Sequence, residues 1–513
     1  MSPVAFDPLA PSAVDGPCEG SNQDRAELVT LLTRAGFSEA EVCRRVGIAS
    51  IYDFVSRREG RTGEVVTSDA LDVLIRLFMD VELLEAELVG HYLSEPEIAL
   101  LQAVGLLRRL EADPRRMHAT VLLYPTEGLW IVSDLNVSPE GPAHTVLNED
   151  AVYPAITKNT RHFLASLPDT PCADFLELCA GTGIAALRAS RYAERAWSAD
   201  ITERATRFAR FNAWVNGRTN VAARQGDLYQ AVAGQTFDRI VAHPPYMPAL
   251  EQKYIFRDGG EDGEQITRGV IEGLAEHLRP GGRFYCTCML TDRREAGAEQ
   301  RLRAMLGAQA DEFDVLLVTE RLFPPTEYYF RLALTGRAEL GEVVRRHEVF
   351  ERLGVERLVY GSVVIQRRAE SRPAFTARRQ AGPRTGVADV EWLLAWEGAA
   401  AGADAGAQLA GARPVVSPAC RVRIGYRFEG GIRTAEDCSL TTESPFALEA
   451  RCPPWAADLI AQCDGTVTVP DLHARLRQTG VVPRLLGLAE FAKLVRSLVS
   501  GGFLRLNGVL DTV

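Results

Sequence analysis

Four stretches of this chain carry residues whose types and spacing suit the binding and alignment of a reactive small molecule. The first is Glu177 followed by the loop Cys179-Ala180-Gly181-Thr182-Gly183. Glycines at this spacing let backbone approach a ligand where a Cβ would collide. The second is Asp200 with Ile201 beside it, the kind of carboxylate that grips ribose hydroxyls. Asp227-Leu228 is the third and His243-Pro244-Pro245-Tyr246 the fourth. Each stands at the end of a short run that reads as a strand: 175–178, 195–199, 220–225 and 237–242. A helix-like run follows the glycine loop. Strand, glycine turn and helix form the unit that cradles nucleotide-like ligands. A lone glycine loop is weak, but four polar strand ends in succession do not suit a purely structural sheet.

Strands and helices alternate from Asp174 onward, the pattern of a parallel sheet with helices on both faces. In the helix after Asp200, Phe208, Phe211 and Val215 share a face and should lie on the sheet as core. The run 265–278 reads as a helix, 283–289 and 313–318 as strands, and 340–353 as helical. Cys286 and Cys288 alternate on the first of these strands and are expected in the core.

Together these residues resemble the class I S-adenosylmethionine (SAM) methyltransferases. The tetrapeptide HPPY narrows the likeness to a small-domain group that includes the release-factor glutamine methyltransferases and N6-adenine methyltransferases. The run Arg257-Asp258-Gly259-Gly260-Glu261-Asp262-Gly263 is similar to a glycine-acid segment that follows NPPY in the glutamine methyltransferases. The likeness covers roughly 153–366, and the whole chain also looks like a group of bacterial methyltransferases with an extra N-terminal lobe.

The resemblance implies a Rossmann-like seven-stranded sheet, with the run 358–366 as an antiparallel last strand. It implies SAM as cofactor, held by Glu177, Cys179, Ala180, Gly181, Gly183, Asp200, Ile201, Asp227, Leu228 and His243. Glu177 would face the methionine end, whose ammonium suits a carboxylate. Asp200 would accept hydrogen bonds from the ribose hydroxyls, and Asp227 would meet the adenine amino group with Leu228 against the ring. Tyr153 and Thr157 are candidates for the cofactor mouth. His243, Pro244 and Tyr246 would be the catalytic set. Catalysis would be chiefly alignment, and proximity alone can supply ~7–11 kcal/mol.

In that family an Asn or Asp opens the tetrapeptide. Its side chain and the following Pro carbonyl accept both hydrogens of a planar NH₂, and the aromatic residue stacks on the group. Here His243 departs from the pattern. A neutral imidazole offers one acceptor nitrogen; alternatively it is a general base, or it merely caps the strand. Cys179 likewise replaces the first glycine of the usual loop. The leading expectation is methyl transfer to a planar nitrogen of a protein glutamine or a nucleobase. Its alternatives are a small-molecule biosynthetic acceptor with His243 as base, and a non-catalytic scaffold that binds nucleic acid or peptides.

At 513 residues, 46% hydrophobic and 24% charged, the chain has the mass for several cores. No apolar run nears the ~18 residues of a membrane span, and the N-terminus lacks a secretory pattern. Ten scattered cysteines without a CxxC pair point to a reduced, cytoplasmic protein. Cys420, Cys438, Cys452 and Cys463 are too irregularly spaced for zinc, and no metal is expected. A net charge of −11 argues against a chain dominated by nucleic-acid affinity.

The expected organisation is a disordered tail over 1–21 and a helical, winged-helix-like lobe over 22–148. The methyltransferase domain follows over 149–368, then a linker over 369–414 and a winged-helix-like domain over 415–513 with a capacity for peptide docking. Within the first lobe, Ser38 is an expected N-cap, 47–54 resembles half of a helix-turn-helix, and a hairpin should turn around Pro125-Thr126-Glu127-Gly128. Seven Arg against six Asp or Glu between Asn22 and Arg61 leave no phosphate-binding stripe, so a covering lobe is the favoured reading. The expected linker, or disordered loop, is rich in Arg and Pro, then in Ala and Gly, with one short helix expected over 389–396.

Overall fold

A computed structural model describes residues 16–59, 66–138, 147–334, 339–402, 409–483 and 485–507. Most of the expected N-terminal tail, residues 1–15, lies outside them. The chain divides into two compact units, Met1–Leu290 and Thr291–Val513. The N-terminal lobe thus falls in one unit with the first sheet, and the reason lies in how that lobe is attached.

The first unit is built on five parallel strands. Strand β1 (Cys172–Leu178) is central. It pairs on one side with β2 (Ala193–Asp200), which pairs in turn with β3 (Val221–Gln225). On its other side lies β4 (Phe237–Ala242), followed by β5 (Leu278–Arg293). The order 3-2-1-4-5 puts a topological switch point between β1 and β4, and a crevice opens there beyond the carboxyl ends. Phe175, Leu176, Leu178, Ile240 and Val241 are wholly buried, as expected of strands covered on both faces. Each such side chain is worth roughly 1.5–3 kcal/mol in apolar transfer. Helix α1 (Ile184–Ala189) follows β1, α2 (Glu203–Val215) follows β2 and α3 (Gln265–Glu272) precedes β5. Thr202 caps α2 by accepting from Ala205 N, and Phe208, Phe211 and Val215 are buried as expected. Cys286 and Cys288 are buried on β5.

The N-terminal lobe carries the expected helices, among them Asn22–Arg34 and Glu39–Val46, the latter capped by Ser38. The helix-turn-helix-like stretch forms a short 3-10 turn, Ile51–Asp53, running into Phe54–Glu59. Ile51, Tyr52 and Phe54 are buried, so its apolar residues are spent on packing. A three-stranded sheet of Leu84–Glu85, Arg116–Ala119 and Leu107–Arg109 was not anticipated.

The hairpin exists, but its turn is only Glu127-Gly128, both at positive φ (53° and 66°). Pro125 and Thr126 belong to the strand Leu122–Thr126, which pairs with Leu129–Ser133. The free edge of that second strand is completed by Asn212 of α2 and by Asn216, the residue that ends that helix. Asn212 Oδ1 accepts from Val132 N at 2.8 Å while its Nδ2 donates to Val132 O at 3.1 Å. Asn216 does the same for Trp130, at 2.9 and 2.7 Å. A buried Asp134–Arg204 ion pair adds to this, and Asp134 also accepts from Val152 N. The hairpin therefore docks on α2 as a strand docks on its neighbour, which unites the lobe with the sheet.

In the second unit, Phe313–Phe323 pairs antiparallel with Val355–Arg367, the expected last strand. The segment expected as a linker, 369–414, is corrected here. Thr376–Ala381 is a strand parallel to Phe313–Phe323, and the short helix expected over 389–396 runs longer, Val387–Ala401, with Leu393 and Leu394 buried. Its arginines mislead by composition, because three of the five have an acidic partner. Arg372 pairs with the fully buried Asp314, Arg378 with Asp292 and Arg379 with Glu397. Of the Ala/Gly run, residues 403–408 lie outside the described set. Three further antiparallel strands follow: Arg421–Glu429, Ile432–Thr442 and Phe446–Cys452. The helix Leu488–Ser500 buries Phe491, Val495 and Leu498. Its following strand, Leu504–Asn507, pairs with Arg413–Val416, which straddles the expected domain start. No described helix is long and apolar enough to cross a membrane.

Candidate functional site

Beyond the carboxyl ends of β1, β2 and β4 lies a cavity of ≈ 760 Å³. Glu177, Cys179, Ala180, Gly181, Asp200, Ile201, Asp227, Leu228, His243, Pro244 and Tyr246 all line it. Gly183 does not. It caps α1 at φ 73°, where an added Cβ would stand 3.0 Å from Ser198 Oγ and 3.1 Å from Ala209, so it serves helix–sheet packing. Tyr153 and Thr157 line the cavity as well.

Glu177 is buried at the end of β1 and accepts from Ala185 N and Ala186 N, the first amides of α1. Burial nonetheless pushes its carboxyl up to about 8. Asp200 accepts from Gly181 N at 2.9 Å and from Thr202 N and Oγ1 at 3.1 and 3.2 Å. It thereby fixes the glycine loop, and burial raises its carboxyl above the ordinary value. Gly181 has φ 53°, and a Cβ there would meet nothing within 4 Å, so its bare backbone borders open cavity. Two residues of the wall hold positive φ without being glycine, Cys179 at 54° and Leu228 at 47°. Backbone strain of this kind gathers at ligand sites. Burial also pushes the Cys179 thiol up, with Asp200, Asp227 and Glu177 adding to the rise.

His243 stacks on Phe163 (centroids 5.1 Å apart, planes at 20°) and is tilted against Tyr246 at 5.7 Å. Its Nε2 is buried without a hydrogen-bond partner. Burial, with His162 nearby, lowers its pKa to about 4, so the ring is neutral at pH 7. A neutral ring with an unclaimed nitrogen is a hydrogen-bond acceptor or donor awaiting a partner.

The glycine-acid run explains how HPPY is held. Asp258 is buried and accepts from Lys253 N, Tyr254 N and Arg257 Nε at 2.9, 2.8 and 2.7 Å. Gly259 N donates to Met247 O and Met247 N to Arg257 O. A Cβ on Gly259 would fall 2.7 Å from Pro245 O, and one on Gly263 2.4 Å from Tyr246 O. Only glycine lets this loop lie directly on the tetrapeptide backbone.

Sequence reasoning missed the helix Lys158–Ala165, capped by Thr157. It supplies Asn159, Thr160 and Phe163 to the cavity wall. Its only sequence signal was the Thr N-cap. Among the described residues no cluster suits a metal ion.

Five parallel strands, a glycine turn tied to an acidic strand end and a tetrapeptide beside them share one cavity, and the family comparison agrees with that arrangement. Residues 144–312 match the methyltransferase small domain. The cofactor of this domain is SAM. The chain is 32% identical to a ribosomal protein uL3 glutamine methyltransferase of Bradyrhizobium diazoefficiens over 137 residues, 24% of this chain and 43% of that one. It is 32% identical to a release factor glutamine methyltransferase of Xylella fastidiosa, over 20% of this chain and 42% of the relative. The chain thus spans less than half the length of either relative. An rRNA methylase from Streptococcus thermophilus aligns in structure at 13% identity and a TM-score of 0.24, over 40% of this chain and 93% of its own.

The cavity of this small domain fits the group. Gly181 leaves bare backbone beside open space, Asp200 offers a carboxylate at the second strand end, and Glu177 offers one at the first.

Proposed function

We propose that this chain transfers a methyl group from SAM to the planar side-chain nitrogen of a protein glutamine. The observation that carries the proposal is His243: neutral, with Nε2 unclaimed, in one cavity with Tyr246 and the glycine loop. When bound, SAM supplies a methyl already activated on a sulfonium. Asp200 would hold the ribose, Asp227 the adenine edge against Leu228, and Glu177 the ammonium. Tyr246 would stack on the acceptor's plane. His243 Nε2 would accept one hydrogen of its NH₂ and then take that proton as the nitrogen is alkylated. An amide nitrogen becomes strongly acidic on alkylation, so a ring with pKa about 4 is base enough.

The same low pKa weighs against the small-molecule reading, in which His243 would deprotonate a less acidic nucleophile. The similarity to glutamine methyltransferases of a ribosomal protein and a release factor favours glutamine over a nucleobase. The test is incubation with radiolabelled SAM and a cell lysate, fractionated into protein, RNA and small molecules. Label in protein, on glutamine after digestion, is the expected result; label confined to RNA or small molecules would overturn the proposal.

A further inference from the structure

The helix Lys158–Ala165 presents Asn159 and Phe163, one turn apart, on one face. Phe163 stacks on His243, and Asn159 Nδ2 donates to Tyr246 Oη at 2.8 Å. Both functional rings of the HPPY loop are therefore braced by this single helix, and Asn159 stands exposed where the cavity opens.

A carboxamide shows a donor and an acceptor side by side in one plane. The bond to Tyr246 uses one of the two Nδ2 hydrogens. The second hydrogen and Oδ1 form an edge whose complement is another planar group with adjacent acceptor and donor. A primary carboxamide has that edge; a hydroxyl, an ammonium or a carboxylate does not. The His243 ring offers a single acceptor nitrogen, which covers one hydrogen of an NH₂ and leaves the other.

We infer that Asn159 is the specificity residue for the methyl acceptor, pairing edge to edge with the carboxamide that rests on Tyr246. Asn159 Oδ1 accepts the N–H lying beside the acceptor's carbonyl, and Asn159 Nδ2 donates to that carbonyl. His243 Nε2 accepts the second N–H. Both hydrogens are then held in the amide plane, with the face of the nitrogen left to the donor. The carboxamide absent from the first position of the tetrapeptide is thus supplied from a different element. This inference rests on the glutamine reading proposed above.

The experiment uses the full chain and its Asn159→Ala, Asn159→Asp and Tyr246→Phe variants. Each is given SAM and a dilution series of lysate protein, the methylated residue is identified by mass spectrometry, and SAM affinity is measured by calorimetry. For Asn159→Ala the expected result is a ~10–100-fold rise in the acceptor concentration needed for half-maximal rate, with SAM affinity unchanged. Asn159→Asp retains an acceptor but loses the donor, and it too should need more acceptor than the wild type for half-maximal rate. Tyr246→Phe keeps the ring but frees Asn159, and should fall between wild type and Asn159→Ala. Wild-type acceptor dependence in Asn159→Ala, or a loss of rate explained wholly by weaker SAM binding, would overturn the inference alone. Absence of label on glutamine in the wild type would instead remove the functional reading, and the inference with it.

Discussion

At the scale of single residues, Glu177 gives the sharpest expectation. Its carboxyl titrates at about 8 in the folded chain, against an ordinary value of 4.5. A raised acid keeps its proton in the native state after the unfolded chain has shed it. Its contribution to stability is therefore full below pH 4.5 and is lost as pH rises through about 8. A cofactor ammonium reverses the preference by pairing with the ionised form. SAM binding should release a proton, and affinity should rise by up to ~10-fold per pH unit below pH 8 before levelling. Calorimetry in buffers of different ionisation heat measures that proton directly. Glu177→Gln should abolish the pH dependence, and an unchanged profile in that variant would exclude Glu177 from the site. Cys179 yields a second expectation. It holds φ 54°, a conformation that costs an L-residue ~1–2 kcal/mol. Cys179→Gly should recover about 1 kcal/mol by urea titration, the strain relieved outweighing the added freedom of the unfolded chain. A destabilised variant would show that the thiol's packing matters more than the backbone. These residues were legible in the sequence because each sits at a strand end, where local pattern fixes position. Asn159 was not, since nothing local marks an exposed Asn whose use depends on a loop far along the chain.

At the scale of elements, the decisive feature is the seam between the hairpin and α2. Asn212 is wholly buried, serves Val132 N and O, and also donates to Thr182 O at 2.9 Å. One side chain thus ties the N-terminal lobe to the glycine loop. Asn212→Leu would strand three buried backbone groups and should cost about 3 kcal/mol, with SAM affinity falling as the Thr182 carbonyl loses its anchor. Urea denaturation and calorimetry on the same preparation check both halves; a variant as stable as wild type would mean that water replaces the amide. The helix periodicity of α2 announced Phe208, Phe211 and Val215 as core, but its asparagines read as ordinary polar positions. The reverse error was made over 369–414. Arginines such as Arg372 and Arg378 suggested a solvated linker, whereas each answers a buried aspartate that only the fold brings near.

At the scale of the whole molecule, charge bears on the choice of acceptor. The chain carries 57 Lys and Arg against 68 Asp and Glu. At the cavity mouth Lys253 and Arg257 lie against the Tyr254 ring, and Arg257 is also committed to Asp258. Glu149, Asp150 and Asp227 line the same cavity. Among the described residues that line it, there is no run of unopposed cations to follow a phosphate backbone. An enzyme that neutralised 6–10 phosphates would lose ~10³–10⁵ in affinity between 50 and 200 mM salt, through counterion release. A glutamine read by Asn159, His243 and Tyr246 involves no released counterions, and its edge-to-edge hydrogen bonds are short-ranged. The acceptor concentration for half-maximal rate should therefore change less than about twofold over that salt range. A steep power-law dependence on salt would favour a nucleic-acid acceptor, and would do so even if the label were first recovered in a ribonucleoprotein fraction.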